Sequence, residues 1–152
     1  MAAVLNIIER AIAIPGAAPG VKLGLANIIT LLSIMMLGGR DAIIIVAVRC
    51  FLGTLMGGNP VSFLFSITGG LLSVSVMVIM WKYLNNYISI VNISMIGAVF
   101  HNIGQLFVAG LIVQSFSVYV ILPILMISAV TTGYFVGIVT KQLYKSLGNI
   151  KI

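Results

Sequence analysis

Long apolar runs, parted by glycine, proline and a few charged residues, divide this chain into six segments, each predicted as a helix. The first covers residues 1–14 and stops at Pro15-Gly16, with Pro19-Gly20 close behind. The second covers residues 22–37 and gives way to Gly38-Gly39-Arg40-Asp41, read as a tight polar turn. The third covers residues 42–56 and ends at Gly57-Gly58-Asn59-Pro60. The fourth covers residues 61–80 and closes on Trp81-Lys82-Tyr83, an aromatic and basic anchor of the kind found at membrane–water interfaces. The fifth covers residues 93–113 and the sixth residues 118–143, with Pro123 expected to kink its first turns. A membrane helix needs roughly 17 to 25 mainly apolar residues, so the first segment is short for a span. Glu9-Arg10 stands where a signal peptide carries small neutral residues, so this run is expected to persist as a helix.

Composition places these helices in a bilayer. The 152 residues are 61% hydrophobic and 7% charged, with a mean hydropathy of +1.26. Soluble domains carry about 25% charged residues. The expected architecture is a single all-α membrane domain over residues 1–152, a six-helix bundle. The net charge of +6 is read as topology rather than as affinity for nucleic acid. With both termini in the cytoplasm, Arg40, Lys82, Lys141, Lys145 and Lys151 fall inside, and Arg10 and Lys22 outside. Basic residues favour the cytoplasmic side, so this orientation is preferred. Connections are short, which predicts antiparallel neighbours. Gly69 with Ser73, and Ala129, Gly133 and Gly137, offer the small-residue spacing that lets membrane helices approach.

The scarcity of chemistry-bearing side chains argues against autonomous catalysis. Glu9 and Asp41 are the two carboxylates, and Asp41 is expected at a helix N-terminus, where the dipole favours it. One histidine and the lone Cys50 cannot furnish the usual three or four protein ligands of a metal site, and no cofactor motif is present. An ionisable group in hydrocarbon is costly and points by default to function. Lys22, Asn27, Arg49, His101, Asn102 and Gln105 lie within the apolar segments, Arg49 about halfway along its helix and most of the others in the outer half of the bilayer in this topology. They are the candidate substrate-binding set, suited to a small anionic solute. Each has a plainer role. Arg49 and Glu9 could form a structural ion pair, Lys22 and Arg10 could reach for headgroups, and His101, Asn102 and Gln105 could hold helices together.

Three strings carry a family resemblance: Pro19-Gly20-Val21-Lys22-Leu23-Gly24-Leu25-Ala26-Asn27-Ile28, the stretch from Arg49 through Phe63-Leu64-Phe65-Ser66 to Gly69-Gly70-Leu71-Leu72-Ser73, and Gly97-Ala98-Val99-Phe100-His101-Asn102-Ile103-Gly104-Gln105-Leu106. Together they resemble a small bacterial membrane family known both as Gx transporters and as heptaprenyl diphosphate synthase component I. That family is similar to the substrate-binding S-components of energy-coupling factor (ECF) importers. The resemblance implies a multi-pass protein of the bacterial cytoplasmic membrane. It also implies an outward-facing pocket, and partnership with a transmembrane coupling subunit and two ATPases. Small residues on the first helix, Ala2 and Ala3, become the implied docking positions. The alternative implied by the second name is a non-catalytic membrane subunit of polyprenyl diphosphate or menaquinone synthesis. Prenyl diphosphate synthases resemble one another through aspartate-rich motifs that hold Mg²⁺, and this chain has one aspartate.

Overall fold

The computed structural model describes residues 25–55 and 59–148, all-α throughout. Five α-helices follow in order: α1 (Leu25–Met36), α2 (Gly39–Leu55), α3 (Pro60–Leu84), α4 (Ile90–Val113) and α5 (Leu122–Gly148). A 3-10 segment, Phe116–Ile121, leads into α5. α3, α4 and the stretch Phe116–Leu147 are each long and apolar enough to cross a membrane, the mark of a membrane protein. The predicted first helix at residues 1–14 lies outside the described residues, and with it the sixth member of the expected bundle.

Local chemistry explains the helix ends. Asn59 caps α3 by accepting a 2.6 Å bond from the Ser62 amide, and Pro60 occupies the first turn, where its missing N–H costs nothing. Ser89 caps α4 in the same way, and Gln114 ends it in a left-handed conformation (φ 53°), its amide bonded to the Gly110 carbonyl. Between α1 and α2 the break is narrower than the expected four-residue turn. Gly38 alone turns left-handed (φ 98°), donating to the Ser33 carbonyl, and α2 starts at once with Gly39. Arg40 and Asp41 therefore belong to a helix, with Asp41 in the first turn as its charge requires. Pro123 stands at the second residue of α5, a position that needs no kink.

Packing proceeds chiefly through consecutive antiparallel neighbours, α4 against α3 and α5 most extensively, while α1 lies across α2, α3 and α5. Glycine sets the spacing of the longer helices. A Cβ built on Gly104 would stand 2.8 Å from the Gly69 Cα, and one on Gly133 2.7 Å from the Met95 Cα. At Gly137 the Val91 Cα would be 2.6 Å away. Backbones thus meet directly, as small-residue interfaces in membranes allow. Leu31, Ile34, Val46, Val74, Met77 and Ile93 form the buried core between these contacts. Large apolar side chains such as Phe107, Leu111, Ile127 and Phe135 remain uncovered by protein, as a lipid-facing surface demands.

The topology also sorts charge. Gly39 packs on Val78, and Gly137 on Val91, so the start of α2, the end of α3, the start of α4 and the end of α5 share one end of the bundle. Arg40, Asp41, Lys82, Lys141 and Lys145 are exposed there. Arg49 is the one charged residue among the described residues that lies elsewhere.

Candidate functional site

The helical register of α2 drives Arg49 inward. Ala42, Val46, Arg49, Cys50 and Gly53 recur at three- and four-residue spacing and make up the buried face of this helix. Arg49 is only 5% exposed. Its Nη1 donates a long 3.5 Å hydrogen bond to Thr30 Oγ1 on α1, and Thr30 in turn donates to the Ala26 carbonyl at 3.2 Å. Its Nε is buried with no acceptor among the described residues. Its Nη2 lies 3.7 Å from the point where a Cβ on Gly70 would stand. Asp41, the carboxylate among the described residues, is exposed and about 12 Å away along the helix axis at 1.5 Å per residue. Glu9, the expected partner, lies outside the described residues, as do Lys22, Arg10, Ala2 and Ala3.

A buried guanidinium with one weak hydrogen bond among the described residues is an expensive arrangement. The penalty for removing an ion from water is several kcal/mol even after relaxation. Five N–H donors in a planar fork call for acceptors, and Thr30 supplies one.

The polar residues of α4 divide between two walls. His101 and Gln105 face α3. A Cβ on Gly69 would come within 2.8 Å of the His101 carbonyl oxygen, 3.2 Å of its Cε1 and 3.0 Å of Gln105 Cγ. Asn102, one residue further round the helix, turns to α5, where its Nδ2 donates to the Leu125 carbonyl at 2.9 Å. Ser128 Oγ donates to that same carbonyl. The adjacent glycines Gly69 and Gly70 therefore separate His101 and Gln105 on one side from Arg49 on the other. Asn27 is half-buried on α1, one turn before Thr30 and on roughly the same face.

A family model described as heptaprenyl diphosphate synthase component I matches residues 1–143. The chain belongs to this family. No curated protein and no solved structure matches it. The match to heptaprenyl diphosphate synthase component I takes in the segment bearing Glu9 and Lys22 as well as α1 to α4 and most of α5.

Within this heptaprenyl diphosphate synthase component I fold, several interior polar groups escaped the sequence reading, and two of them, Thr30 and Ser73, lie nearest the site. Thr30 is the described partner of Arg49, signalled only by its place one turn after Asn27. Ser73 was read as a small packing residue, but its Oγ is buried without a hydrogen-bond partner among the described residues. It lies one turn beyond Gly69-Gly70, and a Cβ on Gly97 would be 3.3 Å from it. Two open grooves lie among the described residues. One, of about 530 Å³, runs between α3 and α4 past Thr68, Leu72, Ile103 and Phe107. The other, of about 380 Å³, lies beneath the 3-10 segment beside Gly110, Gln114 and Tyr119. Neither is lined by Arg49, His101 or Asn102. What the described residues bring together here is a buried cationic fork against the buried glycine backbone of α3, held between α1, α2 and α3.

Proposed function

We propose that this protein is a substrate-binding membrane subunit of S-component type, capturing a small anionic solute for an ECF importer. Buried Arg49 carries this reading, because an apolar bundle gains nothing in stability from an under-bonded cation. Lys22, Asn27, His101 and Gln105 would extend the site, and Asn102 would position α5 beside it. The solute would enter from the outer side. Arg40, Lys82, Lys141 and Lys145 at the opposite end match a cytoplasmic face in a bacterial inner membrane. On this reading the chain is not an enzyme. A transmembrane coupling subunit and two ATPases supply the energy, and Ala2 and Ala3 are the proposed docking positions.

The family's description favours a second reading, a non-catalytic membrane subunit that anchors a soluble prenyl diphosphate synthase. The single aspartate, exposed at the start of α2, supports no role for this chain in holding Mg²⁺ against a diphosphate. Native mass spectrometry of the protein extracted gently from its own membranes separates the two. Co-purifying coupling subunit and ATPases are expected. A stoichiometric soluble prenyl synthase in their place would overturn the importer reading.

A further inference from the structure

The two open grooves form one track along α4. Ile103, Gly104, Phe107, Gly110, Leu111 and Gln114 recur at three- and four-residue spacing, so they follow a single face of that helix. Phe107, 58% exposed, belongs to the wall of both grooves. From Ile103, near the middle of the 24-residue helix, to Gln114 at its end, the track runs about 16 Å at 1.5 Å per residue. Half of a ~30 Å hydrocarbon core is about 15 Å, so the track has the length of one leaflet. Its mouth lies at the end of the bundle opposite the exposed Arg40, Lys82, Lys141 and Lys145.

Polarity changes along the track. The deep part, of about 530 Å³, is walled chiefly by Leu71, Leu72, Ile103 and Phe107. Thr68 turns its hydroxyl back to the Leu64 carbonyl at 2.6 Å, which leaves Ser75 as the free hydroxyl at the deep end among the described residues. The mouth, of about 380 Å³, brings in Gln114, Ser115 and Tyr119. A left-handed Gln114 ends α4 and turns the chain so that the Tyr119 ring lies over Gly110, its Oη 2.7 Å from where a Cβ would stand. Neither the Gln114 side-chain amide nor the Tyr119 hydroxyl bonds to a described residue. No ionised side chain lines either part.

These features select an occupant. Lipid tails are as apolar as leucine, so a leucine, isoleucine and phenylalanine groove of one leaflet's length receives a hydrocarbon chain. At the mouth an amide, a hydroxyl and a phenol offer both donors and acceptors, which suits a head bearing hydroxyls. A carboxylate or phosphate head could use only the donors and would meet no opposite charge. We propose that this track is a binding site for a single-chain amphiphile with an uncharged, hydroxylated head. The tail lies against Leu72, Ile103 and Phe107, and the head sits on Gln114 and Tyr119. The site is separate from Arg49, which lines neither part, and holds whether or not the importer reading does.

The test uses the full chain in phosphatidylcholine nanodiscs, with a monoacylglycerol carrying a photoactivatable diazirine at the tail end as probe. Labelled residues are read by peptide mass spectrometry. Labelling is expected to concentrate around Leu72 and Ile103. Unlabelled monooleoylglycerol should displace the probe at least about fivefold more effectively than oleate, which has the same chain and an ionised head, the worth of one ordinary net hydrogen bond. Gln114→Leu should weaken labelling by about the same factor. Leu72→Trp fills the deep part and should abolish labelling there. Ile44→Trp, at an exposed apolar position on α2, should leave labelling unchanged and so separates filling of the groove from the burden of a tryptophan. Should Leu72→Trp fail to fold, Gln114→Leu, at the exposed mouth, carries the test. Label spread evenly over the lipid-facing helices, equal displacement by oleate, or full labelling of a folded Leu72→Trp or of Gln114→Leu overturns the proposal, since any of these is the behaviour of ordinary boundary lipid.

Discussion

The two sides of this bundle are held together by opposite means. α3, α4 and α5 meet through glycine, with Gly104 on Gly69, Gly133 on Met95 and Gly137 on Val91, and the polar groups there are mostly satisfied within the helices or across them. α1 and α2 are shorter, at 12 and 17 residues, and their shared interior holds Thr30, Ser33 and Arg49 among Leu31, Ile34 and Val46. One side maximises close backbone approach, and the other keeps a costly cation. The difference suggests a division of labour, with a glycine-packed scaffold on one side and a recognition element on the other.

The largest expected effect strikes the scaffold. Gly104→Leu would force side-chain atoms into the Gly69 backbone, 2.8 Å from the first added carbon. Overpacking of this kind costs about 1–3 kcal/mol, and more where only backbone can yield. Equilibrium unfolding in micelles should show a loss at or above the top of that range. A loss below about 1 kcal/mol would mean that this contact does not set the spacing of α3 and α4. Gly133→Val should follow closely, because its neighbours Met95 Cα and Ala98 Cβ have little room to move. Its effect should appear as loss of α5 protection in limited proteolysis.

Smaller effects come from polar contacts. Asn102→Leu removes the bond to the Leu125 carbonyl, which Ser128 still satisfies. Interhelical hydrogen bonds in membranes average about 0.6 kcal/mol, so a thermal melt should drop only slightly. A drop as large as that of Gly104→Leu would make Asn102 part of the scaffold's foundation. Thr30→Val should leave stability within about 0.5 kcal/mol, the range of mild substitutions. Its effect belongs to binding, and a large stability loss would break the proposed division between the two sides.

Much of this arrangement was legible in the sequence. Breakers such as Gly38 and Asn59-Pro60 marked the helix ends, and the spacing of Gly69, Ser73, Ala129, Gly133 and Gly137 marked the small-residue faces. Arg49 stood out as a lone charge inside an apolar run. Other features were hidden for identifiable reasons. Arg40 and Asp41 have the polarity of a turn, yet Gly38 makes the whole reversal by itself and frees them to start a helix. Phe116–Ile121 is as apolar as a span, so its 3-10 winding has no hydropathy signature. Depth along a helix can be counted from sequence, but rotation about the axis at a given depth is set by packing. His101 and Asn102 therefore looked like members of one wall and face different helices. Thr30 gave no signal beyond its spacing from Asn27, because a threonine within a membrane helix commonly satisfies itself on its own backbone, as this one does at Ala26.

The central claim is that Arg49 is retained for binding and at a cost to the fold. The most direct test is the unfolding free energy of ligand-free Arg49→Met against wild type, measured by equilibrium unfolding in the same micelles. Methionine replaces the buried cation with an apolar chain of similar length, and Thr30 remains bonded to Ala26. Replacing buried ions by apolar residues is neutral or stabilising by about 1–4 kcal/mol, so the variant should be at least as stable as wild type while losing its solute. A loss of about 3–5 kcal/mol, the signature of breaking a buried ion pair, would show that Arg49 holds the bundle together and would contradict the account.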